Sequence, residues 1–112
     1  MAEPHVVDSD SVEPEEIEHK CEEVLVGERL EQRYSYLVYH FICDGRYFWA
    51  RAYVDDIDTV SVYGPFDGRD TMNHVLGPLH EGMLSYLMRR FGRIQVLETA
   101  GYVTLWSREV DR

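Results

Sequence analysis

Two runs in the middle of the chain, RYSYLVYHFIC from Arg33 to Cys43 and RYFWARAYV from Arg46 to Val54, are dense in Tyr, Val, Phe, Ile and Trp. These are the residues that favour a pleated, half-buried chain. Between them stands Asp44-Gly45, a pair tolerant of positive φ and the strongest short-range signal for a two-residue hairpin turn. With that turn, Cys43 faces Arg46, Phe41 faces Phe48, Tyr39 faces Ala50, Leu37 faces Ala52 and Ser35 faces Val54. Side chains alternate with period two. The other side of the hairpin therefore collects Tyr34, Tyr36, Val38, His40 and Ile42 with Tyr47, Trp49, Arg51 and Tyr53.

The pattern then changes several times. Asp55-Asp56-Ile57-Asp58 predicts a turn, and Thr59 to Tyr63 a third strand stopped by Gly64-Pro65. Val75, Leu76, Leu79, Met83, Leu84, Leu87, Met88 and Phe91 recur at helical spacing. They predict one long helix capped at Asp67 or Asp70, kinked or restarted at Gly77-Pro78, and ended by Arg89, Arg90 and Gly92. A second hairpin follows, Arg93 to Glu98 and Tyr102 to Ser107, turning at Ala100-Gly101. In it Ile94, Val96, Val103 and Leu105 point one way, and Gln95, Leu97, Tyr102, Thr104 and Trp106 the other.

Upstream, residues 1 to 12 lack periodicity and predict a disordered acidic tail, leaving 13 to 112 as one α+β domain. Pro14, Glu15 and Glu16 look like a helix start, and Ile17, Cys21, Val24 and Leu25 extend it to a short N-terminal helix over 14 to 26. The fold expected is thus an antiparallel sheet of about five strands with the long helix packed on one face. Ala50 and Ala52 let a helix approach closely, so the Leu37, Phe41, Phe48 side is the expected core.

The opposite side then needs an explanation. Tyr34, Tyr36, His40, Tyr47, Trp49, Arg51, Tyr53, Tyr102 and Trp106 are not the Lys, Glu and Thr of a solvated sheet. Tyr, Trp and Arg are enriched at interface hot spots, because they join a large contact area to a polar tip that wants a partner. These nine residues are the candidate binding site. Self-association or another protein is the expected partner, with the N-terminal helix folding back over the face as the plainer reading.

Composition narrows the choice. The formal charge of −10 is uneven: residues 1 to 31 carry eleven carboxylates against Lys20 and Arg29, and the rest is close to neutral. Arg33, Arg46 and Arg51 make too thin a groove for a phosphate backbone, so nucleic acid is not the expected ligand. No apolar run reaches the ~18 residues of a membrane span, and the acidic start is unlike a secretory signal, so a cytoplasmic protein is expected. Cys21 and Cys43 are then free thiols.

Catalytic and metal signatures are weak. His74 and His80, six apart, lie on different sides of an unbroken helix, and no thiol or carboxylate stands at a metal-ligand spacing from them. GPFDGRDT lacks the lysine of a phosphate loop. Cys43 and His40 fall on opposite sheet faces, against a nucleophile-base pair. No metal and no cofactor are expected. The rival class is a small enzyme with a cavity between sheet and helix, using His40 or His74 as a base.

The order helix, three strands, helix, two strands resembles that of small acidic bacterial chaperones and adaptors such as the type III secretion chaperones. It is a resemblance of topology without a motif, and those proteins add a C-terminal helix where this sequence has only Arg108 to Arg112. It implies a non-enzymatic adaptor; an inhibitor of a host complex, of bacterial or phage origin, would present the same kind of surface.

Overall fold

A computed structural model describes residues 11–98 and 100–108. Six strands form one sheet in sequence order: β1 Glu16–Val26, β2 Arg29–Cys43, β3 Arg46–Tyr53, β4 Thr59–Phe66, β5 Arg93–Glu98 and β6 Gly101–Ser107. The single helix, α1, spans Glu81–Arg90. All neighbouring strands are antiparallel except β4 and β5, which run parallel. The sheet is therefore mixed, with six strands rather than five antiparallel ones. The connection from Phe66 to Arg93 crosses over through α1, and such a crossover returns the chain in the same direction.

The central hairpin has the register its turn chemistry predicts, with Cys43 opposite Arg46, Phe41 opposite Phe48 and Leu37 opposite Ala52. Asp44 and Gly45 take φ of 52° and 78°, the left-handed pair of a tight hairpin. The helix covers the expected face. Phe41, Phe48, Ala50, Val60, Val62 and Ile94 of the sheet meet Met83, Tyr86 and Leu87 of α1 in one buried cluster. Val12 joins its rim, donating its N–H to the Gly82 carbonyl at 3.0 Å. The first ten residues of the expected acidic tail lie outside the described residues.

The segment expected as an N-terminal helix is β1, paired with β2 from Glu16 opposite His40 to Val26 opposite Arg29. A short isolated helix is marginal in water, and this one had only five apolar residues, Ile17, Cys21, Val24, Leu25 and Val26, and no surface of its own to bury them on. As a strand the same segment pairs the outer edge of β2 from Arg29 to His40, which would otherwise expose a long apolar template. With a strand in first place, the element order also departs from that of the secretion chaperones.

The helix is shorter than its apolar stripe. Residues 67 to 80 form a loop in which Leu76 is 97% exposed, and Gly77 at φ 151° followed by Pro78 cannot continue a helix backward. Asp67 serves the loop rather than the helix, accepting from the Thr71 hydroxyl and the Asn73 N–H. His80 takes the N-cap, its Nδ1 accepting from the Gly82 N–H at 3.0 Å. At the other end, the C-terminal turn of α1 is tied to the sheet by Asp58, whose carbonyl accepts from the N–H groups of Gly92 and Arg93.

The aromatic face as candidate functional site

Eight of the nine candidate residues share the sheet face opposite α1. Tyr34, Tyr36 and His40 stand on β2, Tyr47, Trp49, Arg51 and Tyr53 on β3, and Tyr102 on β6. Trp106 does not belong with them. A bulge between Ile94 and Gln95 gives β6 one extra residue, so Trp106 pairs with Ile94 while Thr104 pairs with Gln95. One inserted residue reverses the side-chain alternation, and Trp106 packs against the core under α1 instead.

The face divides into two halves. Around His40 the side chains satisfy one another. His40 Nε2 lies 2.7 Å from Glu18 Oε1 and its Nδ1 2.7 Å from the Tyr47 hydroxyl. Glu18 is held below the ordinary carboxylate value of 4.5, first by the His40 hydrogen bond and further by the charges of Lys20, His40 and Arg69. Arg69 reaches from the loop to Glu16 at 2.6 Å. Phe66 and His74 close over Tyr47, which is 2% exposed. Burial raises the Tyr47 hydroxyl above its usual value. This half is a second small core built with the help of β1, and not by a helix lying across it.

Around Arg51 the picture differs. Its guanidinium lies 5.1 Å from the Tyr53 ring centroid, 5.7 Å from Tyr63 and 5.8 Å from Tyr36, within range for cation–π attraction. One terminal nitrogen donates to the hydroxyls of Tyr63 at 2.9 Å and Tyr102 at 3.2 Å. Burial, and then the Tyr102 hydrogen bond, push the Tyr63 hydroxyl strongly upward, so it stays a neutral acceptor at physiological pH. Among the described residues no carboxylate lies within ion-pair distance of Arg51. Its Nε and the indole Nε1 of Trp49 are buried without a hydrogen-bond partner. Each such orphan costs on the order of 1–3 kcal/mol.

Trp49, Arg51, Tyr36, Lys20, Glu18 and His40 contribute to the lining of a cleft of about 200 Å³. Exposed tyrosines surround it: Tyr34, Tyr53 and Tyr102 are each 37–46% accessible, beside Leu97 at 55%.

Sequence reasoning missed three contributors. Glu18 and Lys20 were hidden in the segment read as helix. Tyr63 was placed on a third strand but not joined to this face, although Thr59, Ser61 and Tyr63 alternate in step with it. The Trp49 indole lies flat on Tyr63, centroids 3.9 Å apart.

The remaining candidates resolve individually. Phe41, Met83 and Leu87 fill the centre of the space between sheet and helix, but a cleft of about 740 Å³ opens at the N-terminal end of α1 against Cys43, Phe48 and Pro65. His74 lines a separate cleft of about 360 Å³ with Val62, Leu79 and Val96, and His40 stands on the opposite sheet face. Cys43 is in the core with its thiol pushed up to about 11 by burial. His80 Nε2 lies 3.2 Å from Asp44. Among the described residues no three His, Cys, Asp or Glu side chains gather as a metal-ligand set, and no helix is long and apolar enough to cross a membrane. Compared with protein-family models, curated proteins and solved structures, the chain matches none.

Proposed function

We propose that this chain is a non-enzymatic protein-interaction module that works as a homodimer, and that the Arg51 half of the aromatic face receives an acidic segment of a partner protein. The observation that carries this reading is the pair of orphan donors, Trp49 Nε1 and Arg51 Nε, in a face whose other half is fully paired. Both atoms are closed to solvent in the free chain, so a carboxylate seated in the cleft that Trp49 and Arg51 line meets them once the side chains over them shift. Charge-assisted hydrogen bonds of this kind are about twice as strong as neutral ones, and the surrounding tyrosines offer the low-entropy contact area typical of hot spots.

Single-stranded nucleic acid fits less well. Base stacking on Trp49 or Tyr53 is physically sound, but a phosphate backbone needs a continuous cationic track. Here Lys20 and Arg51 stand beside Glu16, Glu18 and Glu22. A single carboxylate needs no such track.

Calorimetric titration of a tetraglutamate peptide into the wild type and into Arg51→Gln tests the reading. Saturable binding that the substitution abolishes, with the fold intact, is expected. Equal heats from both proteins would refute it.

A further inference from the structure

The homodimer just proposed has no surface yet, and the fold offers one apart from the aromatic face. β1 is an edge strand of eleven residues whose outer N–H and C=O groups pair with no other strand among the described residues. Long open edges invite pairing with another chain. We infer that the outer edge of β1 pairs antiparallel with β1 of a second copy about a two-fold axis through Cys21.

The register follows from symmetry and charge. A two-fold axis normal to the sheet keeps each face on its own side, and because side chains alternate with period two the axis must pass through a residue and not between two. Centred on Cys21, the midpoint of the strand, all eleven residues find a partner. Lys20 then faces the partner's Glu22, His19 faces the partner's Glu23, and Ile17 faces the partner's Leu25. Ile17 and Leu25 are 49% and 56% exposed in the single chain. Opposite charges directly across a strand pair stabilise it and like charges destabilise it. Neighbouring centres fail on this count. At Lys20 two lysines meet, at Glu22 two glutamates, and at His19 Glu16 meets the partner's Glu22.

Cys21 provides the readout. It is an exposed free thiol, and residues directly opposite in an antiparallel pair have Cα atoms about 4.5–5.5 Å apart, inside the span a disulfide bridges. The inference rests on the proposed function only for the chain being a dimer and takes nothing from the aromatic face.

The experiment combines light scattering of the full chain with mild copper-phenanthroline oxidation. Expected are a particle of twice 13.2 kDa, a disulfide-linked dimer in wild type and Cys43→Ala but not in Cys21→Ala, and Kd about tenfold weaker in Lys20→Glu. The charge exchange Lys20→Glu with Glu22→Lys should recover the lost affinity, which a merely structural role for Lys20 would not predict. A strict monomer overturns both the dimer and this surface, leaving the acidic-partner reading of Arg51 untouched. A dimer that yields no Cys21 cross-link, or that ignores both charge variants, overturns the surface alone.

Discussion

Trp49 and Tyr63 stack with ring planes 15° apart on neighbouring strands, so the indole is fixed while its N–H is left without an acceptor. A side chain held this rigidly loses little entropy on meeting a ligand, which is what preorganisation requires. Packing and hydrogen bonding can be separated here by substitution. Trp49→Phe should keep the stack and cost under about 1 kcal/mol, while Trp49→Ala should cost about 2–4 kcal/mol. Urea denaturation measures both, and equal losses would mean that the N–H, not the ring, is what the fold uses.

Acid should act through the other half of the face. The carboxyl pKa values of Glu18 and Asp67 are depressed in the folded chain, chiefly by hydrogen bonds to His40 and Thr71 respectively. A depressed carboxyl contributes stability above its unfolded value, here 4.5 and 3.8, and loses it as pH falls through the folded value. Wild-type Tm should therefore fall as pH drops below about 4.5. Glu18→Gln should start lower at neutral pH and fall less on acidification. Parallel Tm curves for the two proteins would remove Glu18 from the account.

Backbone geometry makes Gly64 a sharp test of the register shift between β3 and β4, where Tyr47 stands opposite Phe66 but Trp49 opposite Tyr63. At φ 126° a side chain is strained, and an added Cβ would come within 2.9 Å of Phe48 Cδ2 and 3.0 Å of the Tyr47 carbonyl. Gly64→Ala should destabilise by about 2–4 kcal/mol. Thermal unfolding with a loss under about 0.5 kcal/mol would mean the strand can shift to admit the methyl.

Thiol reactivity should be two-phased. Cys21 is exposed, whereas Cys43 is buried with its thiol raised to about 11, and the thiolate is the reacting species. One fast equivalent per chain is expected with a disulfide reagent at neutral pH, the second appearing only on unfolding. Two fast equivalents would show the Cys43 side of the core to be open.

Legibility in the sequence tracked local chemistry. Asp44-Gly45 determines its own turn, and with it the register that gathers Tyr34, Tyr36, His40, Trp49 and Arg51 on one side; alternation alone carries that far. What misled was whatever depended on a distant partner. The β1 segment has helix-like spacing, but the long edge of β2 decides its state, as tertiary pairing overrides a weak local preference. Trp106 keeps the period of Tyr102 and Thr104 on paper; a bulge, invisible to period counting, turns it into the core. The orphan donors beside Tyr63 could not be read at all, because an unmet hydrogen bond is a property of three strands at once.

The central claim is that Arg51 and Trp49 present a carboxylate site, and the indole N–H of Trp49 reports on it directly. With Trp106→Phe leaving a single tryptophan, its ¹⁵N–¹H resonance would be followed while acetate, then tetraglutamate, is added at constant ionic strength. A saturable downfield shift, stronger for the peptide, absent with chloride and lost in Arg51→Gln, is the predicted result. A resonance that stays put, or that moves equally with chloride or without Arg51, would contradict the account.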